Sequence, residues 1–337
     1  MGHCFTLQSK FQITICFILL WLLAANHAFA DTSSISTHPP IQSIYFPELK
    51  AISPNADDSF SFVLPFSRSG GLIVVKAKVD STEGNFILDT GCPGLVLNIT
   101  YFRNYPRTAE ADTENDGIAG NVGMAEHTTV PRVQFGAMLQ QQVRADLVSL
   151  ANIENNKGIR ILGLIGMRFL RNCEMIIDFD KNVILFHVIG KKEAGKYQHP
   201  MLKDIGSYSS IPFELTENRI MIKTVFEGKK LRLLIDCAAE TNIMDSKLPD
   251  KILENISITG TVLLTGVGNK KVEAVRGSMS DFTVADRKMQ NMPVIITNLE
   301  KTCFSMGGCV DGVLGFDFLS VKKIGFNFIT RKMYLWK

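Results

Sequence analysis

Histidine is scarce in this chain, six in 337 residues, and His127, His187 and His199 stand alone, without a metal-holding spacing such as His-Glu-x-x-His. No metal or other cofactor is therefore expected. No basic run occurs, and the formal net charge is only +3, which leaves nothing to pull the chain toward nucleic acid. The Gly-rich turns lack the Lys-Ser or Lys-Thr partner of a phosphate cradle. Ser278 and Ser305 sit outside any nucleophile-elbow context. Cys92 and Cys237 have no histidine placed as in a cysteine protease. Each absence removes a class of chemistry.

Long apolar runs are also missing, except at the start. There Lys10 precedes an apolar core from Ile13 to Ala25, and Ala28-Phe29-Ala30 offers small residues where a signal peptidase reads. Residues 1–30 are expected to be a signal peptide, cleaved before Asp31. The apolar run is shorter than the roughly 20 residues that span a bilayer. No cysteine follows the small residues to take a lipid. The expected location is exported, periplasmic or extracellular, with no membrane association after cleavage.

What remains has 46% hydrophobic and 20% charged residues, a globular composition, and is long enough for two domains. Two stretches drive an aspartate out of an aliphatic run: Phe86-Ile87-Leu88-Asp89-Thr90-Gly91 and Leu233-Leu234-Ile235-Asp236-Cys237-Ala238. A carboxylate stripped of water there must be paired, protonated or share a proton. Two of them predict a pair.

A repeated phrase follows each aspartate. The first copy is Gly163-Leu164-Ile165-Gly166-Met167-Arg168-Phe169-Leu170 and then Ile177-Asp178-Phe179. The second is Gly312-Val313-Leu314-Gly315-Phe316-Asp317-Phe318-Leu319 and then Phe326-Asn327-Phe328. The aspartates lie 147 residues apart (236 − 89), and the two phrases lie 149 apart (312 − 163 and 327 − 178). So steady an offset marks a duplication. Upstream, Leu72 to Ala77 and Ile220 to Val225 read as strands, each followed by a charged Gly turn at Glu83-Gly84 and Glu227-Gly228. Each repeat is expected to be one β-rich lobe. Asp178 and Asp317, unmatched between the copies, are expected to be surface or turn-capping residues.

On these residues the chain resembles the retropepsin-like, single-chain, two-lobed aspartic proteases found in bacteria, over roughly residues 68 to 337. Asp89-Thr90-Gly91 matches the family's first turn; Asp236-Cys237-Ala238 keeps the aspartate but has Cys-Ala in place of Thr-Gly. Leu164-Ile165-Gly166 and Val313-Leu314-Gly315 match the strands that thread beside those turns. The resemblance implies an all-β fold of two pseudo-symmetric pepsin-like β-barrel lobes, each with a short helix, around an active-site cleft. Lobe one is expected over 68–190, a linker over 191–210 and lobe two over 211–337, with 31–67 a leading segment holding an edge strand near Phe60 to Leu64.

The implied activity is peptide-bond hydrolysis by a water activated between Asp89 and Asp236, which makes the chain an exported aspartic endopeptidase. Thr90 would hydrogen-bond across to the other lobe, Gly91 would let the backbone approach the carboxylate, and Cys237 would donate more weakly than threonine. Gly120, Asn121, Val122 and Gly123 in lobe one, and Gly266 and Gly268 in lobe two, lie where the family places a mobile flap; an ordinary hairpin turn is the other reading. Peptides or proteins are the expected partners, and the protein is expected to be monomeric. Two readings from other classes stand beside this one: a peptide-binding protein of the same fold that has lost turnover, and an exported scaffold.

Five cysteines follow the leader, an odd number. Cys303 and Cys309 enclose a short Gly-rich loop and are the expected disulfide. Cys92 and Cys237 are expected to be small buried hydrophobic residues. Asn98-Ile99-Thr100 and Asn255-Ile256-Ser257 fit the glycosylation pattern, which also arises by chance.

Overall fold

The apolar run ahead of each aspartate folds into a hairpin. Arg219–Phe226 pairs antiparallel with Lys229–Ile235 through Glu227 and Gly228, both at positive φ (49° and 77°), as a tight two-residue turn demands. Lobe one makes the same hairpin from Leu72–Val79 and Thr82–Leu88. Its turn, however, lies at Asp80 and Ser81 and not at Glu83-Gly84, which belong to the second strand. Gly84 serves packing instead: a Cβ there would come within 2.4 Å of Leu162. The computed structural model describes residues 59–117, 120–265, 271–300, 303 and 307–337, so the expected leader and most of the leading segment lie outside the described residues.

In each lobe the strand entering the aspartate runs parallel to the threading strand, Thr82–Leu88 with Gly163–Ile165 and Lys229–Ile235 with Gly312–Leu314. The strand leaving the turn, Leu95–Asn98 or Asn242–Asp245, pairs with the other side of the same threading strand. The repeated Gly-x-x-Gly is explained by this squeeze. A Cβ at Gly163 or Gly312 would stand 2.1 or 2.4 Å from a carbonyl of the leaving strand, and one at Gly166 or Gly315 would stand 2.2 or 2.5 Å from carbonyls of the turn region. Both ends of the threading strand must lack a side chain.

The lobes are joined by a shared sheet. Cys173–Asp178 of lobe one pairs antiparallel with Ile324–Asn327 of lobe two, with Ile177 opposite Ile324 and Glu174 opposite Asn327. Antiparallel pairing of matching strands is what a pseudo-twofold axis between two repeats requires. Lys332–Trp336 and Tyr208–Pro212 extend this sheet on one side, and Val183–Val188 and Phe60–Ser69 on the other. Phe60–Ser69 pairs first with Val183–Val188 and then, from Phe66, with Leu72–Val75. It is therefore an interior strand of lobe one, where an edge strand ending near Leu64 was expected. Alternation fixes its place, since Phe62, Leu64 and Phe66 all point into the core.

The linker region holds two short helical turns, Pro200–Leu202 and Ile205–Ser207, before Tyr208–Pro212 enters the shared sheet. The Phe-Leu phrases form the expected short helices, Met167–Phe169 as a 3-10 turn and Phe316–Leu319 as an α-turn. Two further helices, Ala151–Lys157 and Asp250–Leu253, have no counterpart in the sequence reading. Asp178 and Asn327 do cap turns, accepting the amides of Asp180 and Lys181, and of Ile329 and Thr330. They are not surface residues, for both are buried in the shared sheet, and Asp178 pairs with Lys323 at 3.2 Å.

Candidate active site

Asp89 and Asp236 end their strands at equivalent points. Each amide is held by the last residue of the neighbouring threading strand, Asp89 by Ile165 at 3.0 Å and Asp236 by Leu314 at 3.1 Å. Asp89 Oδ1 accepts the amides of Gly91 and Cys92 at 2.8 and 2.9 Å, and Asp236 Oδ1 accepts that of Ala238 at 2.8 Å. The two carboxyls meet: Asp89 donates a hydrogen bond to Asp236, and Asp236 Oδ2 lies where a Cβ on Gly91 would be, 2.4 Å away. Among the described residues neither Oδ2 has a hydrogen-bond partner.

Burial raises both acidities' thresholds. Asp89 is lifted well above the usual carboxylate range, first by burial and then by the charge of Asp236. Asp236 is pushed up to about 6 by burial, against the pull of backbone amides and of Asp89. The pair therefore keeps one proton to neutral pH, held chiefly on Asp89, with Asp236 the more easily ionised.

The turns are locked to one another across the lobes. Thr90 Oγ1 donates to the carbonyl of Ile235 at 3.0 Å and accepts the amide of Cys237 at 3.0 Å. Cys237 Sγ makes the matching contact, donating to the carbonyl of Leu88 at 3.1 Å. The cysteine thus takes the threonine's position in the lock with a weaker donor. Ala238 keeps its φ out of the left-handed region, and its methyl is buried with Cys92, Leu72 and Val74 of lobe one. Cys92 Sγ turns instead to the carbonyl of Gly94 at 3.5 Å, so the two cysteines form no bridge.

Two expectations follow from this asymmetry. Gly91→Ala should destabilise the protein by about 1–3 kcal/mol through overpacking against Asp236, and should depress peptide hydrolysis, whereas Ala238→Gly is tolerated. Urea unfolding and initial rates on the same preparations check both. Cys237→Thr should stabilise by about 1 kcal/mol, because a hydroxyl replaces the thiol as donor to Leu88. Equilibrium unfolding that leaves the midpoint unmoved would refute it.

Sequence reasoning missed the largest fully buried side chain, Arg219. Its Nε donates to the carbonyl of Gly91 at 2.9 Å, and its charge lowers the pKa of both aspartates. In the first repeat the matching position is Gly71, whose amide reaches Glu240 of lobe two at 3.2 Å; Lys157 also pairs with Glu240. The visible signal was an arginine opening an aliphatic strand. Nothing local said which turn it would reach.

Flap residues are placed only in part. Gly120, Asn121, Val122 and Gly123 begin the second strand of a hairpin, Thr108–Gly117 with Gly120–Phe135, in which Asn121 pairs with Asp116. Lobe two has the equivalent hairpin, Ile256–Thr265 with Lys271–Met279, but Gly266 and Gly268 lie outside the described residues. Cys303 and Cys309 form the disulfide. His127 pairs with Asp146 and His187 with Glu193, and no cluster of metal-ligating side chains occurs among the described residues. Asn98 is buried, its amide nitrogen donating to Glu154 and to the carbonyl of Ile161, so it is closed to a glycan.

Two lobes, each threading a glycine-bounded strand beside an aspartate turn, with the carboxyls face to face, define the architecture of an aspartic protease. The chain resembles the retropepsin-like members, and residues 222–318, which include Asp236 and its threading strand, match the family model described as aspartyl protease. Among solved structures, basic 7S globulin from soybean is similar at 9% identity and a TM-score of 0.42, covering 83% of this chain and 95% of that one. A retropepsin-like aspartic protease from Rickettsia conorii is similar at 14% identity and a TM-score of 0.27, covering 39% and 92%. No curated protein matches.

Proposed function

We propose that this protein is an exported aspartic endopeptidase in which Asp89 and Asp236 activate a water between them. The observation that carries the reading is the buried pair of carboxyls, hydrogen-bonded to each other and held by backbone amides in matching turns. Asp236, the more acidic, takes a proton from the attacking water, while Asp89 donates its proton to the scissile carbonyl oxygen. Like charges this close cannot both ionise, which is the behaviour the handling of a single shared proton needs.

An extended peptide would lie in the cleft and pair its backbone with the hairpins at 108–135 and 256–279, adding a strand at their edges. Export is supported by the Lys10-led apolar leader and by the Cys303–Cys309 disulfide, which fits an oxidising compartment. No helix among the described residues is long and apolar enough to cross a membrane. The reading of a turnover-deficient binder drew on the Cys-Ala change, and Cys237 occupying the threonine's place in the lock takes away its main ground.

The test is cleavage of a peptide library by protein lacking residues 1–30, with and without a pepstatin-type inhibitor, across pH. Activity should rise through about pH 6, as Asp236 gives up its proton, and fall again at higher pH as Asp89 ionises. A flat profile from about pH 4 to 9 would contradict a dyad mechanism.

A further inference from the structure

A cavity of about 280 Å³ opens beside the first aspartate turn, lined by Pro93 and Gly94 of that turn, by Asn218 of lobe two, and by Arg144, Arg168 and Arg171. All three arginines are exposed. Asp146 is the one carboxylate in the wall, and it already accepts His127 Nδ1 at 2.6 Å. Three guanidinium groups against one engaged carboxylate make a strongly positive concavity, a disposition that favours an anion with planar, bidentate geometry.

Pseudo-symmetry shows that the fold does not demand this charge. Leu95 pairs with Ala145 in lobe one and Asn242 with Val294 in lobe two, so the 149-residue offset holds in register (294 − 145). By that offset Arg144, Arg168 and Arg171 correspond to Pro293, Asp317 and Ser320. Pro293 and Asp317 line the corresponding cavity of lobe two, of about 470 Å³, where Lys157 and Arg276 are balanced by Glu240 and Asp317. The same architectural niche is neutral in one repeat and basic in the other. Repulsion among the arginines opposes gathering them, and an arriving anion relieves it.

We infer that this cavity is a subsite for an acidic side chain of the peptide substrate, so that the enzyme prefers Asp or Glu on the lobe-one side of the scissile bond. The inference rests on the peptidase reading above. Pro93 and Gly94 follow Asp89 by four and five residues, a reach of at most about 17 Å, which an extended peptide covers in about five residues. The acidic residue should therefore fall within about five positions of the bond that is cut.

Binding can be separated from turnover with protein carrying Asp89→Asn. Fluorescent peptide pools with Asp or Glu fixed at one position should bind it about tenfold more tightly (about 1.4 kcal/mol) than pools with Asn or Gln there. That difference should shrink as salt is raised. Arg168→Asp with Arg171→Ser, which installs the residues of lobe two at exposed positions, should erase the preference while the melting temperature stays unchanged. Wild-type kcat/KM on the same pools should carry the same acidic bias. A preference that survives the double substitution, or pools that bind equally, overturns the subsite. Acid-selective binding with no cleavage by the wild type would keep the anion site and sink the peptidase reading; cleavage without acidic bias would do the reverse.

Discussion

Asp89→Asn and Asp236→Asn are each expected to lower peptide hydrolysis by about 10³-fold while leaving a folded protein. An amide at either place can neither take the water's proton nor share one across the pair, and the backbone amides of Gly91, Cys92 and Ala238 still find an oxygen to donate to. Stability should move the other way. Both carboxyls have pKa values raised by folding, so the native protein binds more protons than the unfolded chain. Their favourable contribution is complete below the unfolded value of 3.8 and is lost as pH rises through the folded one, about 6 for Asp236. Removing the ionisation of Asp236 should then add up to about 3 kcal/mol near pH 7.5 and almost nothing near pH 3. Thermal unfolding of wild type and Asp236→Asn at the two pH values measures this; equal gaps at both would show that burial does not oppose ionisation there.

Arg219→Met should have the next largest effect, on stability and on the pH profile together. Its guanidinium is wholly buried, holds the carbonyl of Gly91 and lies close enough to the aspartates to favour their ionised forms. Methionine fills much of the volume but leaves that carbonyl without its donor and the dyad without its cation. The expected cost is about 3 kcal/mol, the scale for removing one partner from a buried charged cluster. Without the cation both aspartates hold protons to higher pH, so the rise in activity near pH 6 should move upward. Arg219→Lys should restore the position of that limb more than the stability, since the charge returns without the guanidinium's fixed fork. A profile identical to wild type in Arg219→Met would remove Arg219 from the electrostatics of the site.

The duplication, the two aspartate turns and the threading strands were all legible because each is written locally. An aspartate ending an aliphatic run, and glycines three apart where strands squeeze together, leave a mark within a few residues. The misplaced turn at Glu83-Gly84 shows the limit of that reading. A glycine signals a turn or a close contact equally well, and at Gly84 it was Leu162, 78 residues away (162 − 84), that required it. The strand at Phe60–Ser69 was taken for an edge because its partner, Val183–Val188, lies in the far part of the same repeat.

By itself the sequence determined that there are two β-lobes, that each carries a buried carboxyl on a tight turn, and that short helices follow the threading strands. Periodicity, turn chemistry and repetition are properties of neighbouring residues, and they do not need the third dimension. Only the tertiary structure decided that Arg219 reaches Gly91, that the Cys237 thiol meets the carbonyl of Leu88, and that three arginines gather around one cavity. Those contacts join residues far apart in the chain or in opposite lobes, so their identity depends on how the two repeats dock, and docking is set by the whole shared sheet.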